Sequence, residues 1–212
     1  LQHLAPLLVV LGGPALATTV MLWRRVPVEL PSLRIVLGSI GALGGMMFLA
    51  AVGLAWPLPA ALLATALANV VLWIVLAWGG GLPRLHYLSA VFLTVAWLVG
   101  FAALAGEVAW LVPDGRALTG SLVSADAGAR LLPLVVLFGA VAATMRRLAS
   151  AGTARVWGIA SGAAMGGSVV LLVAFGFGRV GDPAEGAWYF ALYAALTVGA
   201  AIALGNGRLA IA

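Results

Sequence analysis

The sequence predicts an all-α fold, a polytopic bundle of about seven transmembrane helices, and three observations predict it. Of 212 residues, 64% are hydrophobic and 8% charged, about a third of the charged share of a soluble domain. Mean hydropathy is +1.17, and the apolar residues come in continuous runs of about 20, the length a helix needs to cross a bilayer. Those runs do not alternate in polarity, which excludes a transmembrane β-barrel. The charges fall between the runs, and their signs sort by loop.

The first span covers 4–23 and ends at Arg24 and Arg25. Pro6 and Pro14 lie in it, and Pro14 after Gly12-Gly13 is expected to kink it by removing a backbone bond. The second covers 33–56, with Ser32 as its expected N-cap. Gly38, Gly41, Gly44 and Gly45 form a small-residue stripe there, of the kind that lets a second helix approach closely. Trp56-Pro57-Leu58-Pro59 makes a tight turn into the third span, 60–78, which carries Asn69 near its middle. The fourth, 85–106, opens at His86. The fifth, 131–145, is only about 22 Å long at 1.5 Å per residue and is expected to borrow a turn from 127–130. The sixth, 156–177, holds a second stripe, Gly158, Gly162 and Gly166, expected to pack against another helix. The seventh covers 187–204, and the whole of 1–212 reads as one transmembrane domain. Leu1 is not Met, and 208–212 turns apolar where the sequence stops, so a longer protein is expected at both ends.

Orientation follows from arginine. All eleven basic residues are Arg. Eight (Arg24, Arg25, Arg34, Arg84, Arg146, Arg147, Arg155 and Arg208) fall on one side, against Arg116, Arg130 and Arg179 on the other. Five of the six acids lie with that minority. Cytoplasmic loops carry the excess of Arg, so the N-terminus is expected outside and the C-terminus in the cytoplasm. Trp23, Trp56, Trp78, Trp110, Trp157 and Trp188 stand near the expected interfaces, as an aromatic belt does.

Composition also bounds the chemistry. Without Cys there are no disulfides, thiolate metal sites or iron–sulfur clusters. Without Lys there is no Schiff base. The two imidazoles, His3 and His86, are expected on opposite faces of the membrane, where they cannot share a metal. Neither a cofactor nor a metal is therefore expected. The Arg residues occur one or two at a time beside spans, which fits topology and not nucleic acid. Within the spans no ionisable group lies near mid-depth, which argues against a proton pump. The mid-membrane polar residues are Thr65, Asn69, Thr94, Thr144, Ser161, Ser168 and Thr197. Hydroxyls there can bond back to their own helix, and an Asn can bridge two.

The candidate binding residues are on the long outer loop, 107–130. Asp126 and Arg130 are spaced to pair on a helix. Val112-Pro113-Asp114-Gly115-Arg116 is a turn signal in which Asp114 should bond its own backbone. Arg116 and Arg130 could then grip a phosphate or carboxylate; the bland alternative is a loop packed on the bundle rim.

Two patches carry a resemblance. Leu82-Pro83-Arg84-Leu85-His86 opening a span, and Gly178-Arg179-Val180-Gly181-Asp182-Pro183 before Trp188-Tyr189, resemble the membrane part of bacterial O-antigen ligase/polymerase-like envelope proteins. That resemblance implies an enzyme acting on lipid-linked glycans at the outer face, with Arg and His in a large outer loop. Here that loop offers Arg116 and Arg130 and no His. Three functions are thus open for a protein expected in the bacterial inner membrane. The first is a non-catalytic subunit or membrane domain packed on other membrane subunits or on the rest of its own chain. The others are an envelope-glycan enzyme fragment, and a transporter or channel for an uncharged solute.

Overall fold

The structure, a computed structural model, describes residues 4–23, 25–27, 29–148, 150–176 and 183–203, without the side chains at 49, 183–186 and 200–203. Arg24, Arg179, Asp182, Arg208 and His3 lie outside the described residues, as does the 178–182 patch. Among the described residues every regular element is helical. In chain order they are α1 Ala5–Trp23, α2 Pro31–Ala55, α3 Pro59–Gly79, α4 His86–Leu104, α5 Gly115–Leu122, α6 Ala125–Arg130, α7 Leu132–Arg147, α8 Ala151–Leu171 and α9 Pro183–Ala203. A 3-10 turn, Pro83–Leu85, leads into α4, and α8 runs on into a π-helical turn, Leu172–Gly176.

Among the described residues six segments are long and apolar enough to cross a membrane: α1, α2, α3, Pro83–Leu104, Ala125–Arg147 and Ala151–Gly176. The seventh expected span lies on α9, whose described apolar stretch is Ala187–Gly199. The fifth span does gain its missing length from the chain before it, since α6 and α7 together form Ala125–Arg147.

Proline and glycine set the ends. Pro31 and Pro59 open α2 and α3, and Pro133 opens α7 in its first two positions, where a missing N–H costs nothing and φ is preset. Leu30, not Ser32, is therefore the N-cap of α2. Two helices close in the same way. Gly81, with φ 57°, follows α3, and Leu82 N–H donates to Ala77 O at 2.9 Å while Gly81 N–H donates to Trp78 O at 3.2 Å. Gly106, with φ 74°, follows α4, and Glu107 and Gly106 N–H donate to Ala102 and Ala103 O. These are Schellman closures, whose left-handed position glycine adopts without a Cβ clash.

The helices pack as antiparallel hairpins. The most extensive contacts are α1 with α2, α7 with α8 and α3 with α4; α1 also packs on α3, and α4 on α8. One hydrophobic cluster joins α2, α3, α4 and α5 around Leu58, Leu62, Val99 and Leu118. Another joins α4, α7, α8 and α9 around Leu134, Phe138, Trp157 and Tyr193. Trp157 is consequently not part of an aromatic belt. It is 6% exposed and stacks between His86 and Phe138, at centroid distances of 5.6 and 5.3 Å. Trp23, Trp56, Trp78, Trp110 and Trp188 are exposed at helix ends or loops, as a belt requires.

The two glycine stripes behave differently. On α2 a Cβ at Gly41 would lie 2.8 Å from Thr19 Cγ2, and one at Gly44 would lie 3.0 Å from Gly12 O and 3.2 Å from Leu16 N. The α1–α2 crossing is therefore built on Gly12, Gly41 and Gly44, with Thr19 Oγ1 donating to Leu37 O at 3.1 Å. Among the described residues a Cβ at Gly38 would meet Trp23 at 3.8 Å, and one at Gly45 would meet nothing within 4 Å. On α8 a Cβ at Gly158, Gly162 or Gly166 would meet nothing within 4 Å among the described residues. The face of α8 that packs on α4 and α7 instead carries Val156, Trp157, Ala160, Ala164 and Ser168.

Candidate functional site

Polar side chains converge at the Arg-poor end of the bundle, and local structure explains how. The Schellman closure at Gly106 turns the chain sharply, so that Glu107 stands directly at the end of α4. Asp114 caps α5, its Oδ1 accepting from Arg116 N–H at 2.9 Å and Ala117 N–H at 3.0 Å. Its carboxylate is thus spent on its own backbone, as the turn pattern predicts. Ser124 caps α6 through Ala127 N–H at 3.0 Å and donates to Ser121 O at 2.9 Å.

On this frame Arg130 reaches Glu107 with both ends of its guanidinium. Nη1 donates to Oε2 at 3.0 Å, and Nη2 donates to Oε1. Ser121 Oγ donates to the same Glu107 Oε2 at 2.5 Å. Trp97 Nε1, from the middle of α4, donates to Arg130 O at 2.7 Å. Arg130 therefore bonds across 23 residues of chain to Glu107, while Asp126, one turn away, adds its charge to the guanidinium. The i, i+4 spacing of Asp126 and Arg130 found a true electrostatic neighbour and missed the hydrogen-bonded one. A bidentate pair at the Arg-poor end of the bundle, with side chains 19% and 29% exposed, is a neutral clamp between the end of α4 and α6.

A second chain of bonds lies just below. Tyr193 OH donates to Ser168 Oγ at 2.5 Å, and Ser168 Oγ donates to Gly128 O at 2.5 Å, joining α9, α8 and α6. Gly128 has no room for a side chain, since a Cβ would lie 3.0 Å from Leu171 Cβ and 3.1 Å from Ser168 O. Ser161 Oγ donates to Val135 O at 2.8 Å and so bridges α8 to α7. Ser161 and Ser168 thus bridge helices, as Thr19 does between α1 and α2. Asn69 stays within its own helix, donating to Thr65 O at 2.9 Å and accepting from Trp73 Nε1 at 3.2 Å. Thr94, Thr144 and Thr197 bond back to carbonyls one turn earlier, and Thr197 Oγ1 also reaches Met165 Sδ on α8 at 4.0 Å.

Arg116 stands apart from this network. It is exposed at the start of α5, and its guanidinium makes no bond to another described residue. The structure thus separates the expected pair: Arg130 is engaged in the clamp, Arg116 is open, and Asp114 serves as a cap. At the opposite end His86 is 2% exposed, with Nδ1 unpartnered among the described residues. Ser89 Oγ on the same face of α4, and Thr65 Oγ1 on α3, are likewise buried without partners among the described residues. Packing of α4 on α8 buries His86 at the start of its span. Among the described residues no three His, Cys, Asp or Glu side chains come together as a metal site.

Compared with known proteins, the chain matches no family model, no curated sequence and no solved structure.

Proposed function

We propose that this multi-pass membrane protein is a non-catalytic subunit or membrane domain of a larger assembly in a bacterial inner membrane, with its Arg-rich end in the cytoplasm. The observation that carries the reading is the contrast between the two glycine stripes. On α2 Gly41 and Gly44 are taken up by α1, whereas a Cβ at Gly158, Gly162 or Gly166 on α8 would meet nothing within 4 Å among the described residues. Small residues every four positions let helix backbones approach closely in lipid, where apolar burial supplies little drive. The charged groups at the Arg-poor end support the same reading, because Arg130, Glu107 and Asp114 are bonded to the protein itself. Partners would be other membrane subunits or further segments of the same chain.

The test is assembly in nanodiscs formed directly from native membranes. The parent is expected to be held in a complex, and Gly162→Leu to release it while the bundle stays folded. A parent in which neither another subunit nor a further segment of its own chain lies against α8, or a Gly162→Leu variant that keeps the parent's packing there, overturns the reading. Orientation is checked separately in this cysteine-free chain. Thr119→Cys, exposed on α5, should react with an impermeant thiol reagent from outside intact cells, and Leu148→Cys, 68% exposed at the other end, should not. Ser121, only 9% exposed and bonded to Glu107, is too enclosed to serve as the label site.

A second reading, passage of an uncharged solute, draws on the buried unpartnered atoms of Thr65, His86 and Ser89. Orphan polar groups cost free energy in an apolar interior, so they accumulate where a polar species passes or binds. Substrate-dependent flux in liposomes would favour it over the first reading.

A further inference from the structure

The segment between α4 and α5 reads from composition as an aqueous loop, yet its side chains are not those of one. Trp110, Leu111 and Val112 are 38%, 71% and 56% exposed, and Leu104, the last residue of α4, is 75% exposed. Large consecutive apolar side chains standing off a protein surface mark a contact with something apolar.

The fold says what that something is, because the segment is tied to the ends of the spans and not held away from them. Ala60 N–H, in the first turn of α3, donates to Trp110 O at 3.1 Å. A Cβ at Gly115, at the start of α5, would lie 3.5 Å from Pro57 Cβ and 3.8 Å from Trp56 Nε1, so the start of α5 passes close to the α2–α3 turn. Leu118, fully buried, and Ser121, bonded to Glu107, hold the other face of α5 on the bundle. Residues 110–113 therefore stay at the depth where α3 begins. That depth is the interfacial layer of the bilayer, where Trp56, 41% exposed, also stands. Trp and aliphatic side chains at this level bury themselves about 5–10 Å into the boundary between headgroups and acyl chains. The polar groups that follow suit the outer edge of the same layer. Asp114 is satisfied by its own helix, and the unengaged Arg116 guanidinium matches a lipid phosphate.

We infer that residues 110–113 form a fixed wedge in the lipid leaflet at the Arg-poor end, with Arg116 gripping a headgroup phosphate beside it. The segment is an anchor that sets the height of the bundle and seats α5 flat on the membrane surface. This inference rests on the membrane-spanning fold alone and stands whether or not α8 binds a partner.

A cysteine-free chain allows a direct test with the full protein in phosphatidylcholine–phosphatidylglycerol vesicles. Leu111→Cys carries a nitroxide at a position whose side chain supports no packing, with Val112→Cys as a second reporter and Thr119→Cys as the water-facing reference. Collision with oxygen relative to collision with a water-soluble nickel chelate is expected to be several-fold higher at 111 and 112 than at 119. Equal ratios at all three sites overturn the wedge. Exclusion of both reagents from 111 and 112 also overturns it, since a protein surface and not lipid would then cover them. Arg116→Gln in the Leu111→Cys chain should shift the label toward water, and an unchanged ratio removes the phosphate contact.

Discussion

Gly44→Leu is expected to destabilise the bundle by about 3 kcal/mol, the upper part of the range for overpacking a close contact, whereas Gly162→Leu leaves the stability of the isolated chain unchanged. The asymmetry comes from what each new side chain would meet. At Gly44 the obstacles are Gly12 O at 3.0 Å and Leu16 N at 3.2 Å, backbone atoms that cannot rotate aside. The α1–α2 hairpin would have to separate, breaking the Thr19 bond to Leu37 O as it did so. At Gly162 a Cβ meets nothing within 4 Å among the described residues, so leucine would face lipid or a partner. Thermal unfolding of both variants in one detergent checks the pair, and equal losses would mean that α8 packs otherwise than described. Only the assembly state should respond to Gly162→Leu, which makes the two substitutions separable probes of folding and association.

Arg130→Met is expected to lower stability by about 2 kcal/mol, the scale of losing hydrogen bonds to a charged group. The figure is held down by exposure, because side chains 19% and 29% accessible are partly screened. Glu107→Gln should cost less, since an amide still accepts from the guanidinium and from Ser121. A double-mutant cycle between Arg130→Met and Glu107→Ala should show a coupling of about 1 kcal/mol, the expected sign of contact between neighbours. No coupling would mean that Arg130 is free to hold an external anion. The result therefore decides between a structural clamp and a ligand-binding role for the same residue. High salt should weaken the coupling only modestly, because the pair is bidentate and also tied to Ser121 and, through the backbone, to Trp97.

Much of the architecture was legible in composition. The spans, the short fifth helix and its borrowed turn, and the cap at Asp114 are local properties of the chain. The Gly106 closure also had a local sign, a glycine just past an apolar run. The hidden part was the site. Glu107 and Arg130 are 23 residues apart, and only the turn at Gly106 together with the seating of α5 brings them into contact. The i, i+4 rule pointed to Asp126 because it sees one helix at a time.

The sequence by itself determined which segments form long apolar helices and roughly where each lies. In hydrocarbon every backbone polar group must be satisfied within its own segment, so a span has to be written in local composition, with proline, glycine and arginine at its ends. Only the tertiary structure decided which face of each helix is inside. It turned Trp157 into the core and the Gly158–Gly162–Gly166 stripe outward, and it made Ser161 and Ser168 the bridges while Asn69 bonded to its own helix. In water a buried face announces itself by apolar periodicity. Here lipid and protein interior are equally apolar, so both faces of a helix carry the same residues and the choice between them rests on packing.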